Sequence, residues 1–244
     1  MKKPSPLALI GCDAPTAAVK SLEALGFSVC NLQRDDRLPV PVRSHADMLV
    51  FVMSDTVFTS DVCFQKNQGV FQLIGSYGYK ICVCNAPISD EYPNDIAFNA
   101  IYAKNCLWGN LPYIAKEIRS FAKDNEIDEI HLNQGYAKCS SLILGYKAVI
   151  SADEGILKAA EGLDFSTLKI KNSPDAISLL GYNYGFIGGA CGVYNNNIYF
   201  VGNINTHPFA DKILSFCSAQ GFNAVSLCNG KLTDVGGIIF IPEI

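Results

Sequence analysis

The chain has 244 residues, of which 49% are hydrophobic and 17% charged, with a formal net charge of −4. This composition excludes a largely disordered chain, and the acidic balance argues against a general nucleic-acid surface, which needs clustered Lys and Arg. No apolar run reaches the length of a membrane span, and residues 7–10 are too short for a signal peptide. We therefore expect a cytoplasmic protein that binds neither membrane nor nucleic acid.

The ten cysteines predict packed thiols and not a disulfide framework. Several lie in or beside apolar β-like runs, where free Cys behaves as a small hydrophobe, and no secretion signal precedes them. Cys82 and Cys84 share one face of a predicted strand, but no Cys-X-X-Cys or His partner follows. The sequence therefore predicts no metal site.

The first elements in chain order are a helix and a strand. Pro15 stands near the helix start, an apolar stripe runs along it, and Gly26 is placed to end it before an alternating strand at 27–32. This opening also fits the start of a dinucleotide-binding fold, so a doubly wound parallel sheet is the alternative architecture. The turn at 11–15 lacks the G-x-G-x-x-G glycines, however, and we expect no cofactor.

The same helix-then-strand order recurs four more times. Each pair consists of an amphipathic stretch and a β-rich stretch, with approximate extents of 62–74 and 81–84, 114–121 and 130–132, 156–160 and 163–170, and 213–217 and 222–227. A hairpin candidate follows the first four of the five pairs, at 48–58, 96–108, 140–150 and 186–201. The last unit, 234–241, offers one strand, and the strand at 7–10 can supply its partner and close a ring.

Five anchor positions mark this repeat: Asp47, Asp95, Cys139, Gly188 and Asp234. They are 44 to 49 residues apart, which indicates one supersecondary unit used five times. The prediction is a single α/β domain spanning 1–244, a propeller of five pseudo-symmetric units whose anchors meet in a central channel.

Five such units in a closed ring resemble the pentein fold of the guanidino-group-modifying enzymes. The resemblance is strongest at 45–51 (HADMLVF), 136–140 (YAKCS) and 234–238 (DVGGI). These segments are similar to the family's carboxylate-bearing Pro-Asp-Met segment, to the strand start that carries its catalytic His, and to the Gly-Gly run before its nucleophilic Cys. The whole chain resembles most closely an uncharacterised bacterial branch of this superfamily.

The resemblance implies a thiolate that attacks a guanidinium carbon, a His that moves protons, and carboxylates that hold the planar cation. Here the expected His position falls at Tyr136 and the expected Cys position at Ile239 or Phe240. Neither isoleucine nor phenylalanine can act as a nucleophile, so the sequence does not predict the usual hydrolysis.

The remaining polar residues give the candidate site. Asp47, Asp95 and Asp234 either bind a cationic ligand or cap turns, with Asn99 as a further hydrogen-bonding group. Lys138 lies beside Cys139 and is able to favour a thiolate there. The other thiol candidate is Cys191, among small neighbours that permit close approach. His45 lies two residues before Asp47, on the same face of a predicted strand, and is the acid–base candidate.

Three functions follow from this set. The first is a small-molecule binding protein for a guanidino or cationic amino compound, without the usual Cys/His pair. The second is an active hydrolase or transferase with a relocated nucleophile. The third is a non-catalytic protein- or ribosome-binding scaffold, since one translation-factor family shares the fold without catalysis.

Overall fold

The structure, a computed structural model, describes residues 5–244; residues 1–4 of the predicted domain lie outside the described part. Its α-helices are short. They are α1 (Thr16–Ala24), α2 (Ala46–Leu49), α3 (Asp61–Lys66), α4 (Gln68–Ser76), α5 (Lys116–Asp124), α6 (Glu154–Glu161) and α7 (Ala210–Ala219). Strands separate all of them except α3 and α4, which follow one another directly.

The strands have two to five residues each, and each predicted strand region overlaps at least one of them, with ends that differ by a few residues. They are β1 (Leu7–Gly11), β2 (Ser28–Leu32), β3 (Val50–Met53), β4 (Thr56–Ser60), β5 (Lys80–Cys84), β6 (Ile101–Ala103), β7 (Cys106–Gly109), β8 (Asp128–His131), β9 (Ser141–Leu144), β10 (Ala148–Ser151), β11 (Ser166–Lys169), β12 (Ile177–Ser178), β13 (Cys191–Tyr194), β14 (Asn197–Phe200), β15 (Asn223–Ser226), β16 (Leu232–Thr233) and β17 (Ile239–Ile241).

Five three-stranded sheets share one design. Their strand orders are β17-β1-β2, β3-β4-β5, β6-β7-β8, β9-β10-β11 and β13-β14-β15. In each, the middle strand pairs antiparallel with one neighbour and parallel with the other, which follows a helical connection. The alternative of one continuous parallel sheet is therefore wrong. A two-stranded sheet, β12-β16, was not predicted.

Local sequence explains the helix ends and the hairpin turns. α1 begins directly after Pro15 and ends before Gly26, whose φ of +92° suits a residue without a Cβ. The hairpin of β13 and β14 turns at Asn195, also in the left-handed region at φ +52°. Asn tolerates this conformation better than most residues, so the turn forms where the sequence predicts it.

The chain termini meet in one sheet. β1 and β17 pair antiparallel, with Leu7 opposite Ile241 and Leu9 opposite Ile239. The predicted partnership between the first strand and the incomplete last unit is thus confirmed. It also covers the edge that β1 would otherwise expose.

Five hydrophobic clusters form the interior, and each draws buried residues from two sheets consecutive in the chain. The fifth joins the last sheet to the first, because Tyr199 of β14 packs in one cluster with Ala8 and Ile10 of β1 and with Leu22 of α1. Each cluster also contains buried residues of a helix, so the apolar side of the helix packs against strands of two neighbouring sheets. No helix within residues 5–244 is long and apolar enough to cross a membrane.

The segment around His45 corrects one prediction. His45 and Asp47 do not lie on one face of a strand, because His45 precedes α2 as its N-terminal flanking residue and Asp47 is in its first turn. The strand β3 begins only at Val50. Lys138 and Cys139 likewise lie in a turn before β9 and not on the strand, so the argument from opposite strand faces does not apply to them.

Candidate functional site

A cavity of about 250 Å³ opens beside α2 and receives side chains from four of the five units. Its exposed end has aromatic walls, to which Tyr182 and Tyr184 contribute at 49% and 38% exposure. Its buried end contains His45, Cys139 and Asp234, each about 4% exposed. An aromatic entrance with a few converging polar groups is the usual composition of a ligand pocket.

A close backbone contact positions α2 at this cavity. The backbone N–H of Asp47 donates to the carbonyl of Gly236 at 3.1 Å. A Cβ on Gly236 would lie 2.2 Å from the Cβ of His45, and the residue has φ +74°. Only glycine satisfies both conditions, so the Gly-Gly run of the last unit allows the first unit to approach it.

Cys139, Asp47 and Asn99 form a buried network between the first, second and third units. The Cys139 thiol donates to Oδ2 of Asp47 at 2.9 Å, and Nδ2 of Asn99 lies 3.2 Å from the same sulfur. Oδ1 of Asn99 accepts the backbone N–H groups of Lys138 and Cys139 at 2.9 and 3.3 Å. The amide of Asn99 therefore holds the thiol in place and is fully engaged with protein groups, not with a ligand.

Asp234 forms another part of the buried end. Its Oδ2 accepts the backbone N–H of Phe186 at 2.8 Å, and its Oδ1 accepts that of Gly236 at 3.0 Å. Oδ1 also lies 3.7 Å from Nδ1 of His45, beyond hydrogen-bonding distance. The carboxylate thus fixes one cavity wall through Phe186 and places negative charge beside the imidazole.

Burial decides the charge state of these groups. It raises the pKa of the Asp47 carboxyl to about 7, against the opposing positive charge of Lys138. Burial, and then the charges of Asp47 and Asp234, raise the pKa of the Cys139 thiol well above its usual value. Burial lowers the pKa of His45, against the charge of Asp234. At neutral pH we therefore expect a protonated thiol and a neutral imidazole.

Of the predicted site residues, His45, Asp47, Asn99, Cys139 and Asp234 come together here. Asp95 is one step removed: its Oδ2 accepts the hydroxyl of Tyr136 at 2.5 Å, and Tyr136 lines the cavity. Burial raises the pKa of Asp95. Asp95 therefore supports the wall of the cavity and does not face the ligand space.

Lys138 and Cys191 lie elsewhere. Nζ of Lys138 lies 3.3 Å from the Gly188 carbonyl, and the residue lines a neighbouring cavity that Asp47 also lines. Cys191 is in β13, where its thiol donates to the Ile187 carbonyl at 3.1 Å. Burial raises the pKa of Cys191 to about 12. This thiol is a packed core group that does not line the cavity.

The sequence predictions missed the aromatic wall. The sequence places Tyr136 only at the family's His position, and it predicts no element for residues 179–185. A signal for this wall is present in the sequence. Tyr182, Tyr184 and Phe186 are aromatic residues at every second position, and glycine or asparagine stands between them. An aromatic cluster in a polar loop favours a binding surface over a core position.

Comparisons with known structures identify the fold. The chain is similar to the N-terminal domain of ArgZ, an arginine dihydrolase of Cyanobacteria, in the structure of a Cys-to-Ser mutant bound to substrate. The TM-score is 0.59 at 10% identity, and the match covers 98% of this chain and 99% of that chain. It is similar to a dimethylarginine dimethylaminohydrolase from Pseudomonas aeruginosa complexed with citrulline, with a TM-score of 0.57, 9% identity and coverages of 98% and 97%. It is also similar to SxtG, an amidinotransferase from Microseira wollei in saxitoxin biosynthesis, with a TM-score of 0.57, 10% identity and coverages of 96% and 90%.

These proteins are pentein-fold enzymes that modify guanidino groups, so the predicted resemblance is confirmed at the level of the fold. A comparison with curated protein sequences found no significant match. A family model matches residues 9–239, nearly the whole chain. The chain therefore belongs to the family DUF6873, described as a family of unknown function, and has the mixed α/β pentein fold.

Proposed function

We propose that the cavity binds a small cationic amino or guanidino compound. The observation that carries this proposal is the Asp234 carboxylate at the buried end of an aromatic-walled cavity. A carboxylate gives a planar cation strong, charge-assisted hydrogen bonds, and aromatic faces attract the same charge. The guanidino substrates named for the similar structures are consistent with this ligand class.

The proposed roles divide along the cavity. Asp234 contributes the charge, and each of its oxygens still has acceptor capacity beyond its one backbone hydrogen bond. Tyr136, Tyr182 and Phe186 contribute the walls, with Tyr136 and Phe186 ring centroids 6.3 Å apart. Each cation–π contact at such a partly exposed site contributes about 0.5–1 kcal/mol. Selectivity for positive charge therefore depends mainly on Asp234.

Calorimetric titration in a chelator-containing buffer tests this proposal with arginine, agmatine and methylguanidine, and with neutral citrulline as the matched control ligand. We expect cations to bind and citrulline to bind at least about 10-fold more weakly, the equivalent of 1.4 kcal/mol. Asp234→Asn should remove this preference, whereas Asp124→Asn, exposed at the end of α5, should retain it. Equal affinity for arginine and citrulline would contradict the proposal.

Thiol chemistry at Cys139 is the second candidate function. A ring nitrogen of His45, a carboxylate oxygen of Asp47 and the Cys139 sulfur all lie within 4.8 Å of one another. In this reaction His45 would take the thiol proton, the sulfur would bond to the guanidinium carbon, and the amine would leave with the proton from the imidazolium. The raised thiol pKa opposes the first step, which is why we place binding first.

We also infer the finer architecture: one domain in which five sheets surround a pseudo-fivefold axis. The support is the set of five hydrophobic clusters, each between two consecutive sheets, with the fifth between the last and the first. The pairing of β1 with β17, which joins the two ends of the chain in one sheet, also supports this arrangement. If this is one domain, we expect all five sheets to unfold together in a single cooperative transition. Hydrogen exchange of the backbone amides measures this.

A further inference from the structure

Three chemically different donor groups meet beside the buried end of the cavity, which His45 and Cys139 line, whereas Asp47 lines the neighbouring cavity. One ring nitrogen of His45, one carboxylate oxygen of Asp47 and the sulfur of Cys139 all lie within 4.8 Å of one another. All three residues are buried, with exposures of 4%, 1% and 4%. Such a set is close enough to share a single ion.

Two side-chain atoms of these residues have no partner within residues 5–244. They are Nδ1 of His45 and Oδ1 of Asp47, both buried and without a hydrogen bond to that part of the chain. An unpaired buried polar atom costs about 1–3 kcal/mol, so two in adjacent side chains require an explanation. A bound cation that accepts lone pairs from this cluster supplies one.

The donor set matches a particular kind of metal. Thiolate sulfur, imidazole nitrogen and carboxylate oxygen are the protein ligands of Zn²⁺, with bonds of about 2.0–2.3 Å in tetrahedral sites. Donors in such a site lie about 3.3–3.8 Å apart, so any pair of the three atoms here needs to approach by about 1.5 Å at most. Three protein ligands leave a fourth position open, and Cys139 and His45 both line the cavity into which it would point.

The surrounding groups also suit a metal. Nδ2 of Asn99 lies 3.2 Å from the Cys139 sulfur and is able to stabilise a thiolate there. The Asp234 carboxylate is 3.7 Å from Nδ1 of His45, so a further negative charge beside the three donors favours a bound cation. Lys138 opposes metal binding, because its positive charge acts on Asp47 from the neighbouring cavity and repels a bound cation.

We propose that His45, Asp47 and Cys139 bind one divalent transition-metal ion, Zn²⁺ or Co²⁺, with an open coordination position facing the cavity. On binding, a metal–sulfur bond replaces the S–H bond of Cys139, and the proton leaves to solvent. Metal binding at this site does not require the proposed cationic ligand. Because the metal ion and that ligand are both positively charged, the metal-loaded protein should bind the ligand more weakly.

The test is a titration of the reduced protein, first stripped of metal with a chelator, with Co²⁺. The absorption spectrum of the protein is recorded at each addition. We expect one equivalent to bind, with the visible bands of tetrahedral Co²⁺ and a near-ultraviolet thiolate-to-cobalt band, both removed by Zn²⁺. Cys139→Ser should abolish the charge-transfer band. His45→Asn and Asp47→Asn should each weaken binding by more than about 100-fold, the upper end of the loss that a change beyond the ligands causes.

Cys191→Ser is the matched control, since it removes an equally buried thiol outside the cluster and should leave the spectrum unchanged. Circular dichroism establishes that each variant folds. If Cys139→Ser does not fold, alkylation mapping of the unaltered protein replaces it, and Zn²⁺ should protect Cys139 but not Cys12. No binding at micromolar Co²⁺, a charge-transfer band that survives Cys139→Ser, or Cys139 alkylation unaffected by Zn²⁺ would overturn the proposal. None of these outcomes bears on ligand titrations made in chelator.

Discussion

Asn99 is the single side chain on which the geometry of the site depends most. It is 1% exposed, and its Oδ1 accepts two backbone N–H groups, from Lys138 at 2.9 Å and from Cys139 at 3.3 Å. Asn99→Ala removes this shared acceptor and leaves the two donors without it as a partner. Each such loss costs about 1–3 kcal/mol, and the longer hydrogen bond belongs at the lower end of that range.

We therefore expect Asn99→Ala to lower the free energy of unfolding by about 3 kcal/mol. For a chain of this size each kcal/mol corresponds to about 2–4 °C in Tm, so the melting temperature should fall by roughly 6–12 °C. Urea unfolding measures the change, with fluorescence from Trp108 as the reporter, because it is the sole tryptophan and is fully buried.

The matched control is Asn133→Ala, at an exposed position in the segment that leads to Lys138 and Cys139. Asn133 has no side-chain hydrogen bond to the described residues, so its removal should change stability by no more than about 0.5 kcal/mol. A loss for Asn99→Ala of less than about 1 kcal/mol, or one equal to the control, would refute the assignment of Asn99 as the group that joins the units.

Three further predictions follow. Purified protein should release no appreciable citrulline or ammonia from arginine, agmatine or methylated arginines, and robust turnover abolished by Cys139→Ser would favour the enzyme instead. Gly236→Ala should destabilise the protein by about 2 kcal/mol or more, because its Cβ meets His45 and its φ is positive, whereas Gly69→Ala, with open space in α4, should be neutral or stabilising in the same urea assay. Burial lowers the pKa of His207 below its usual value of 6.5. The unfolded chain therefore takes up this proton first, and stability should fall as pH decreases from about 6.5 through the folded pKa. His207→Asn, which keeps an acceptor in place of Nδ1, should show a shallower decline in urea unfolding below that pH; an unchanged pH dependence would contradict the assignment.

The repeating elements were predictable because local patterns specify them. The apolar stripe of α1, the turn residues at Asn195, and the spacing of the units each depend on a few neighbouring residues. The partner of β17 was predictable as well, since a last unit with one strand needs another strand from the chain start. Periodicity and turn chemistry thus gave the unit and its five copies.

The same patterns failed around His45, where an apparent strand alternation is in fact the start of α2. The reason is tertiary: Asp47 donates its backbone N–H to Gly236, nearly the whole chain away, and this contact holds the segment in a turn. No local signal within residues 45–51 contains that information.

What the sequence determined by itself is the list of chemical groups and their places in the repeat: an aspartate at three anchors, a cysteine at a fourth and a histidine near the first. Only the tertiary structure decided which of them meet. The Cys139 thiol reaches Asp47 across 92 residues, whereas Cys191, of the same residue type, faces a core carbonyl. Their protonation was decided at the same level, because a side chain's pKa depends on the water and charge that the folded chain removes from it or places beside it.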